Sequence, residues 1–291
     1  MSYLDRIQEC NQFDWTHFIP FEVNGKRVGW FKHQFASELA RWPDVFSEAD
    51  DTVHLLDPVS SGDDRQRFNE RGRILADINQ QLFEAGHINQ IHGELYPVKT
   101  AFESPSLLLI DRAAAVYYGI RAWGQHLNGY VKKQDELYMW IAKRSSNKAT
   151  FPGKLDNMVA GGLPYDISLG ETLAKECAEE ASVPADLIQL AKPVGAIRYC
   201  IETPEGLKPD CLFCYDLELP ESFTPVCQDG EVEAFSLMPI QEVADLVRET
   251  REFKPNCDLT IIDFLIRHGI IQPDDRDYLK LVNGLRPPLS N

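Results

Sequence analysis

No apolar run in this chain approaches the roughly 20 residues that a membrane-spanning helix needs. Its opening stretch, MSYLDRIQECNQFDW, has no basic segment followed by an apolar one. Neither a membrane partner nor a secretory signal is expected, and a cytosolic location is. Positive charge is scarce: 29 Lys and Arg stand against 45 Asp and Glu, a formal net charge of −16. Nucleic-acid backbones need clustered Lys and Arg, so no nucleic-acid partner is expected. A small phosphorylated substrate stays compatible with that charge, because bound divalent cations reverse the local potential.

Cysteine chemistry is thin as well. The seven cysteines are odd in number and scattered, which excludes a disulfide scaffold and points to free thiols. Cys211 and Cys214 have redox or zinc spacing, but they lie in CLFCYDLEL, which reads as a strand. Residues three apart on a strand face opposite sides, and no second pair accompanies them. A GxSxG elbow, a Cys–His–Asp order and a P-loop are all missing, so nothing suggests a covalent intermediate. Repeats and low-complexity segments are absent too.

What is present divides into two parts. At 291 residues the chain suits one large or two ordinary domains. Residues 1–115 read as a smaller α+β unit. Apolar runs flank Asn24-Gly25, a strong hairpin signal. Helical periodicity follows over 32–42, stopped before Pro43, and over 65–85 with Phe68, Leu75, Ile78 and Leu82 as its buried stripe. His17, His33, His54, His87 and His92 lack ligand spacing and read as structural or surface residues. This unit is expected to shape a pocket or to form the contact of a homodimer.

Residues 116–291 read as an α/β unit. Strand-like alternation covers 117–131 and 135–144, and further strands fall at 194–201, 210–219 and 229–238. Helices are expected at 186–191, 240–249 and 259–268, the last followed by a polar tail. Strands before and after one acidic helix predict a mixed sheet with helices on its faces, an α/β/α sandwich.

That acidic helix lies in Gly161 to Val183, GGLPYDISLGETLAKECAEEASV. Side chains at i, i+3 and i+4 share a helical face, so Glu176, Glu179 and Glu180 project together. Their repulsion calls for a cation between them, and hard carboxylate oxygens suit Mg²⁺ or Mn²⁺. Ala174, Cys177, Ala178 and Ala181 make the opposite face small enough to press on a sheet. A basic loop precedes the helix. Arg144, Lys148 and Lys154 are candidates to hold a non-reacting phosphate, Arg144 by its bidentate fork. Among Trp123, Trp140, Tyr165 and Tyr199, the loop residue Tyr165 is the candidate for stacking on a ligand ring.

Loop and helix together resemble the Nudix box, GX5EX7REUXEEXGU with U aliphatic. Gly161, Glu176, Glu179, Glu180 and Val183 match it; Ile167, Lys175 and Ser182 stand where glutamate, arginine and glycine are expected. Glu171, four residues before Lys175, is expected to form a substitute for the family's glutamate–arginine pair. The segments GQHLNGYV, WIAKRSSNKATFPGKLDNMVAGGLP, YDLELP, DGEVEAFSLMP and IDFLIRHG extend the likeness. They resemble the Nudix subgroup related to the Nudix region of fungal thiamin pyrophosphokinase proteins, which carries its own N-terminal domain. The resemblance implies hydrolysis of a diphosphate linkage in a small phosphorylated metabolite, with thiamin diphosphate or an oxidised analogue favoured. It implies metal ligands at Glu176, Glu179, Glu180 and the Gly161 carbonyl. It also implies one further carboxylate after the box, Glu231 in preference to Glu233. The rival expectation is a Nudix-like binding module without turnover; an RNA-end hydrolase is disfavoured by the negative charge.

Overall fold

The computed structural model describes residues 1–57 and 63–288. The Asn24-Gly25 hairpin joins β1 (Phe18–Val23) to β2 (Lys26–Lys32), with both turn residues at positive φ as a two-residue loop of matching twist requires. With β3 (Phe46–Ala49) and β4 (Thr52–Leu55) these strands make a sheet ordered β2-β1-β4-β3. Helix α2 (His33–Leu39) and the long α3 (Asp64–Glu84) supply Phe35, Leu39, Leu75, Ile78 and Leu82 to the core beneath it. A second hairpin, β5 (Leu95–Val98) with β6 (Leu108–Asp111), adds Tyr96, Val98, Leu108 and Ile110 to that core.

The larger sheet is ordered β11-β14-β7-β8-β15. It uses β7 (Trp123–Lys133), β8 (Glu136–Arg144), β11 (Lys192–Arg198), β14 (Cys211–Glu218) and β15 (Val232–Pro239). Short β9 (Leu155–Asp156) pairs with β8, and β10 (Val159–Gly162) pairs with β7. The sheet is mixed: β14 runs parallel to β7, and the other pairs are antiparallel. A minor hairpin, β12 (Ile201–Glu202) with β13 (Leu207–Lys208), turns at Gly206.

Strand alternation sorts the side chains into two cores. Leu127, Val131, Trp140 and Leu217 meet Leu173, Cys177 and Ala181 of α4 (Leu169–Ala181). Tyr130, Met139, Ile141, Leu212 and Cys214 face the other way. They meet α6 (Ile240–Glu249) and α7 (Pro255–Arg267), so the sheet is covered on both sides. A short α5 (Ala185–Ile188) follows α4. The expected α/β/α sandwich with a preceding α+β unit is the observed architecture.

Two segments differ in kind from expectation. The alternation over 117–131 becomes strand only from Trp123. Tyr117 and Tyr118 instead turn into the first core, where Tyr118 Oη donates to Asn79 Oδ1 at 2.8 Å. Gly119 permits this at φ +54°, and a Cβ there would lie 2.2 Å from the Trp30 carbonyl oxygen. The expected polar tail contains α8 (Tyr278–Gly284), docked through Leu281 and Leu285. Its apolar signal is too sparse to read alone, because its partner is the other end of the chain.

That partner is α1 (Tyr3–Glu9), started by a Ser2/Asp5 capping box. Ile7 enters the second core, and buried Arg6 donates from Nε to the Val247 carbonyl at 3.0 Å. Asp258, in the first turn of α7, is 4 % exposed and its Oδ1 has no hydrogen-bond partner among the described residues. Burial pushes its carboxyl up to about 8, with Arg6 opposing and Glu9 adding to the rise. The unfolded group ionises near 4, so between about pH 4 and 8 only the folded state keeps the proton. Stability therefore falls with rising pH in that window, by up to about 1.4 kcal/mol per unit. Asp258→Asn should match the wild type at pH 4 and exceed it by a few kcal/mol at pH 8, as read by urea melts at both values.

Candidate active site

Helix α4 begins with a capping box. Ser168 Oγ accepts from the Glu171 N–H at 3.3 Å, and Glu171 accepts from the Ser168 N–H at 3.0 Å and hydroxyl at 2.6 Å. This corrects the expected Glu171–Lys175 pair: the cap claims Glu171. The Lys175 ammonium instead lies 3.7 Å from Glu176 and 3.5 Å from Glu179. At the far end Ser182 takes a left-handed conformation, φ +52°, which explains why a glycine suits the box there. Its hydroxyl donates to the Val226 carbonyl at 2.6 Å, offsetting part of the strain.

The three glutamates do share one face, yet their environments differ. Glu180 is 7 % exposed and accepts from the Ala160 N–H at 3.0 Å. Glu176 lies against Gly161, where a Cβ would sit 2.7 Å from its Cγ. Any side chain at 161 would displace it, so the loop glycine serves close approach. Glu179 is about half exposed. Burial pushes the Glu180 carboxyl well up; the Ala160 amide opposes this, and Asp156, Glu176 and Glu231 add to it. Glu176 is raised by burial, lowered by Lys175, and raised again by Glu179, Glu231 and Glu94. A buried cluster of like charges with one ammonium at its rim is short of positive charge. Its donors are all oxygens, so the residues fit a hard divalent cation.

Glu231 precedes β15 and forms an ion pair with Lys148. It is close enough for its charge to act on both Glu176 and Glu180. Glu233 pairs with Lys143 at 2.9 Å. Two of the expected phosphate contacts need correction. Arg144 donates to Asp156 at 2.7 Å and to the carbonyls of Thr150 at 2.9 Å and Phe151 at 3.1 Å, so its fork is spent on closing the loop before β9. Lys154 donates to the Arg251 carbonyl. The reason is common to both: a buried carboxylate and loop carbonyls recruit the nearest cations. Tyr165 is 42 % exposed, and its ring is 5.8 Å from that of Phe68 on α3. Phe68, expected in the buried stripe of α3, thus turns toward the box loop. Trp123, Trp140 and Tyr199 are buried.

A cluster that sequence spacing does not reveal lies behind the site. His126, Asp156 and Cys257 place possible ligand atoms within 4.8 Å of one another. The charges there argue for structure. Asp156 is held by Arg144 at 2.7 Å and Lys254 at 3.6 Å, while the Cys257 thiol donates to it. Burial pulls His126 down to about 4, so its imidazole is neutral. One carboxylate already facing two half-buried cations has no negative charge left to offset a dication. The cluster ties β7, β9 and α7 together.

The α/β/α sandwich sets a carboxylate stripe against a glycine loop, the arrangement that the likeness to the Nudix box implies. Residues 128–257 match the model of the NUDIX domain, and residues 2–122 match a domain of unknown function (DUF4743). Nudix hydrolase 20, chloroplastic, of Arabidopsis thaliana is 43 % identical, covering 98 % of this chain and 78 % of its own. Nudix hydrolase 24, chloroplastic, of the same plant is 42 % identical with the same coverage. An uncharacterized protein of Saccharomyces cerevisiae is 35 % identical over 75 % of this chain and 68 % of its own. The chain belongs to the Nudix hydrolase family. It is a hydrolase of diphosphate linkages, in a family that generally uses a divalent metal.

Proposed function

We propose that this chain hydrolyses the diphosphate linkage of a small phosphorylated metabolite with Mg²⁺ or Mn²⁺, thiamin diphosphate or an oxidised analogue being the first substrate to test. Half-buried Glu176 against Gly161 and buried Glu180 beside it carry the reading, because carboxylates gathered with one ammonium at their rim are costly unless a cation is bound. Glu176, Glu179, Glu180 and the Gly161 carbonyl are the proposed ligands. When bound there, a divalent cation supplies charge neutralisation on the phosphates and acidity for the attacking water. Glu231, which is paired with Lys148, takes the proton. Glu180 is fixed by the Ala160 amide, which limits rearrangement during the reaction. The substrate preference rests on the likeness to the thiamin-related subgroup. The half-exposed Tyr165 ring in the box loop also suits a cationic heteroaromatic group.

A panel of nucleoside, sugar and thiamin diphosphates, incubated with Mg²⁺ or Mn²⁺ and read by mass, tests this. Release of a monophosphate from thiamin diphosphate or its oxidised forms, lost on chelation, is the expected result. Preference for a nucleoside or sugar diphosphate would overturn the substrate assignment. Turnover that survives EDTA would overturn the metal requirement.

A further inference from the structure

We propose that Arg112, from the N-terminal unit, reaches into the acidic site and binds the phosphate that does not react. This deepens the diphosphatase reading above and rests on it. The contact between the units is direct. Tyr96 on β5 places its hydroxyl over Gly162, where a Cβ would be 1.8 Å from the phenolic oxygen. The Tyr165 N–H on the box loop donates to the Leu95 carbonyl at 2.9 Å, so the β5–β6 hairpin is seated on that loop.

Arg112 immediately follows β6. Its backbone N–H donates to the Glu94 carbonyl at 2.8 Å, and Nη1 donates to the Glu94 carboxylate, also at 2.8 Å. The guanidinium lies over the Tyr96 ring, 5.9 Å from its centroid. These contacts fix the plane of the fork. Among the described residues Nε and Nη2 have no hydrogen-bond partner, and the side chain is 44 % exposed. Its surroundings are those of the catalytic helix: Glu94 acts on Glu176 and Lys175, and Glu231 acts on Arg112.

The cations expected to hold phosphate from the basic loop are otherwise engaged, Arg144 by Asp156 and two carbonyls, Lys148 by Glu231 and Lys154 by a carbonyl. Arg112 offers what they do not: an oriented fork with free donors, beside the carboxylates that select the metal. Arginine matches a phosphate's oxygens two at a time, which an ammonium cannot do. The N-terminal unit therefore contributes to substrate binding directly.

The test is calorimetric titration of inorganic pyrophosphate into the full chain with MgCl₂, comparing wild type, Arg112→Gln, Arg112→Lys and Arg73→Gln. Arg73 is a surface residue on α3 paired with Glu70 and Asp77, and serves as the charge control. Arg112→Gln should weaken pyrophosphate about 10- to 100-fold, the range of one charge-assisted contact. Arg112→Lys should fall between, and Arg73→Gln should match wild type. Equal binding by wild type and Arg112→Gln would overturn the inference while leaving the diphosphatase reading intact. Equal losses in Arg112→Gln and Arg73→Gln would overturn it too, by reducing it to net charge. Absence of Mg²⁺-dependent binding by wild type would overturn both. If Arg112→Gln does not fold, Arg112→Lys, which keeps the Glu94 pair, decides by the same comparison.

Discussion

Glu180→Gln leaves the fold intact and removes turnover. Glutamine is nearly isosteric, and its amide oxygen can still accept from the Ala160 N–H that Glu180 holds at 3.0 Å. What disappears is a buried negative charge with no cation of its own. Loss of that charge costs the apo-protein no stability, because burial and three neighbouring carboxylates already oppose ionisation there. The thermal midpoint should stay equal or rise slightly. Hydrolysis should fall by about 10²-fold or more, since even groups that only support metal ligands contribute roughly 10- to 100-fold. Product release at saturating substrate and Mg²⁺, beside a circular-dichroism melt, measures both quantities. Turnover within a few-fold of wild type would remove Glu180 from the catalytic set. Glu179→Gln makes a useful comparison, because its side chain is about half exposed and enters the site from the rim.

Asp156→Ala should be strongly destabilising. Burial of Asp156 opposes ionisation, yet Lys254 foremost, with the Cys257 thiol and Arg144, brings its carboxyl down to about 2. Removing the carboxylate strands Arg144 and Lys254 without their shared anion, and breaking a buried pair in this way costs about 3–5 kcal/mol. For a chain of this size the midpoint should drop by on the order of 10 °C. The pH dependence has a definite sign. The folded value lies below the unfolded one, so the stabilisation is present above about pH 4 and is lost as pH falls toward 2. Asp156→Ala should show a correspondingly flatter acid limb. Denaturant melts between pH 3 and 7 would show it; a wild-type-like midpoint at pH 7 would contradict the buried-pair account and return Arg144 to consideration as a phosphate ligand.

The two predictions separate what was readable in the chain from what was not. Periodicity located α6 at 240–249 without error and placed α3 to within a residue at either end, because each carries a continuous apolar stripe. The Asn24-Gly25 turn was legible because so few residues tolerate paired positive φ. The carboxylate stripe and loop glycine were legible because helical spacing alone puts Glu176, Glu179 and Glu180 on one side. The role of Arg144 is hidden in the sequence for an equally physical reason. Its sequence neighbours are polar and basic, whereas its partner Asp156 becomes buried only when β9 joins β8 and α7 closes behind it.

Local pattern by itself determined the class of the fold and the acidic helix, since the periodicities that mark them lie within a few turns of one another, while the chemistry followed from the resemblance to the Nudix box. Tertiary structure alone decided that α1 completes the second core, that Glu171 caps a helix in place of pairing with Lys175, and that Tyr96 of the N-terminal unit stands over Gly162. A hydrophobic or charged face announces that it needs a partner. Which partner it meets, across tens or hundreds of residues, is settled only when the whole chain has found one arrangement that buries every such face at once.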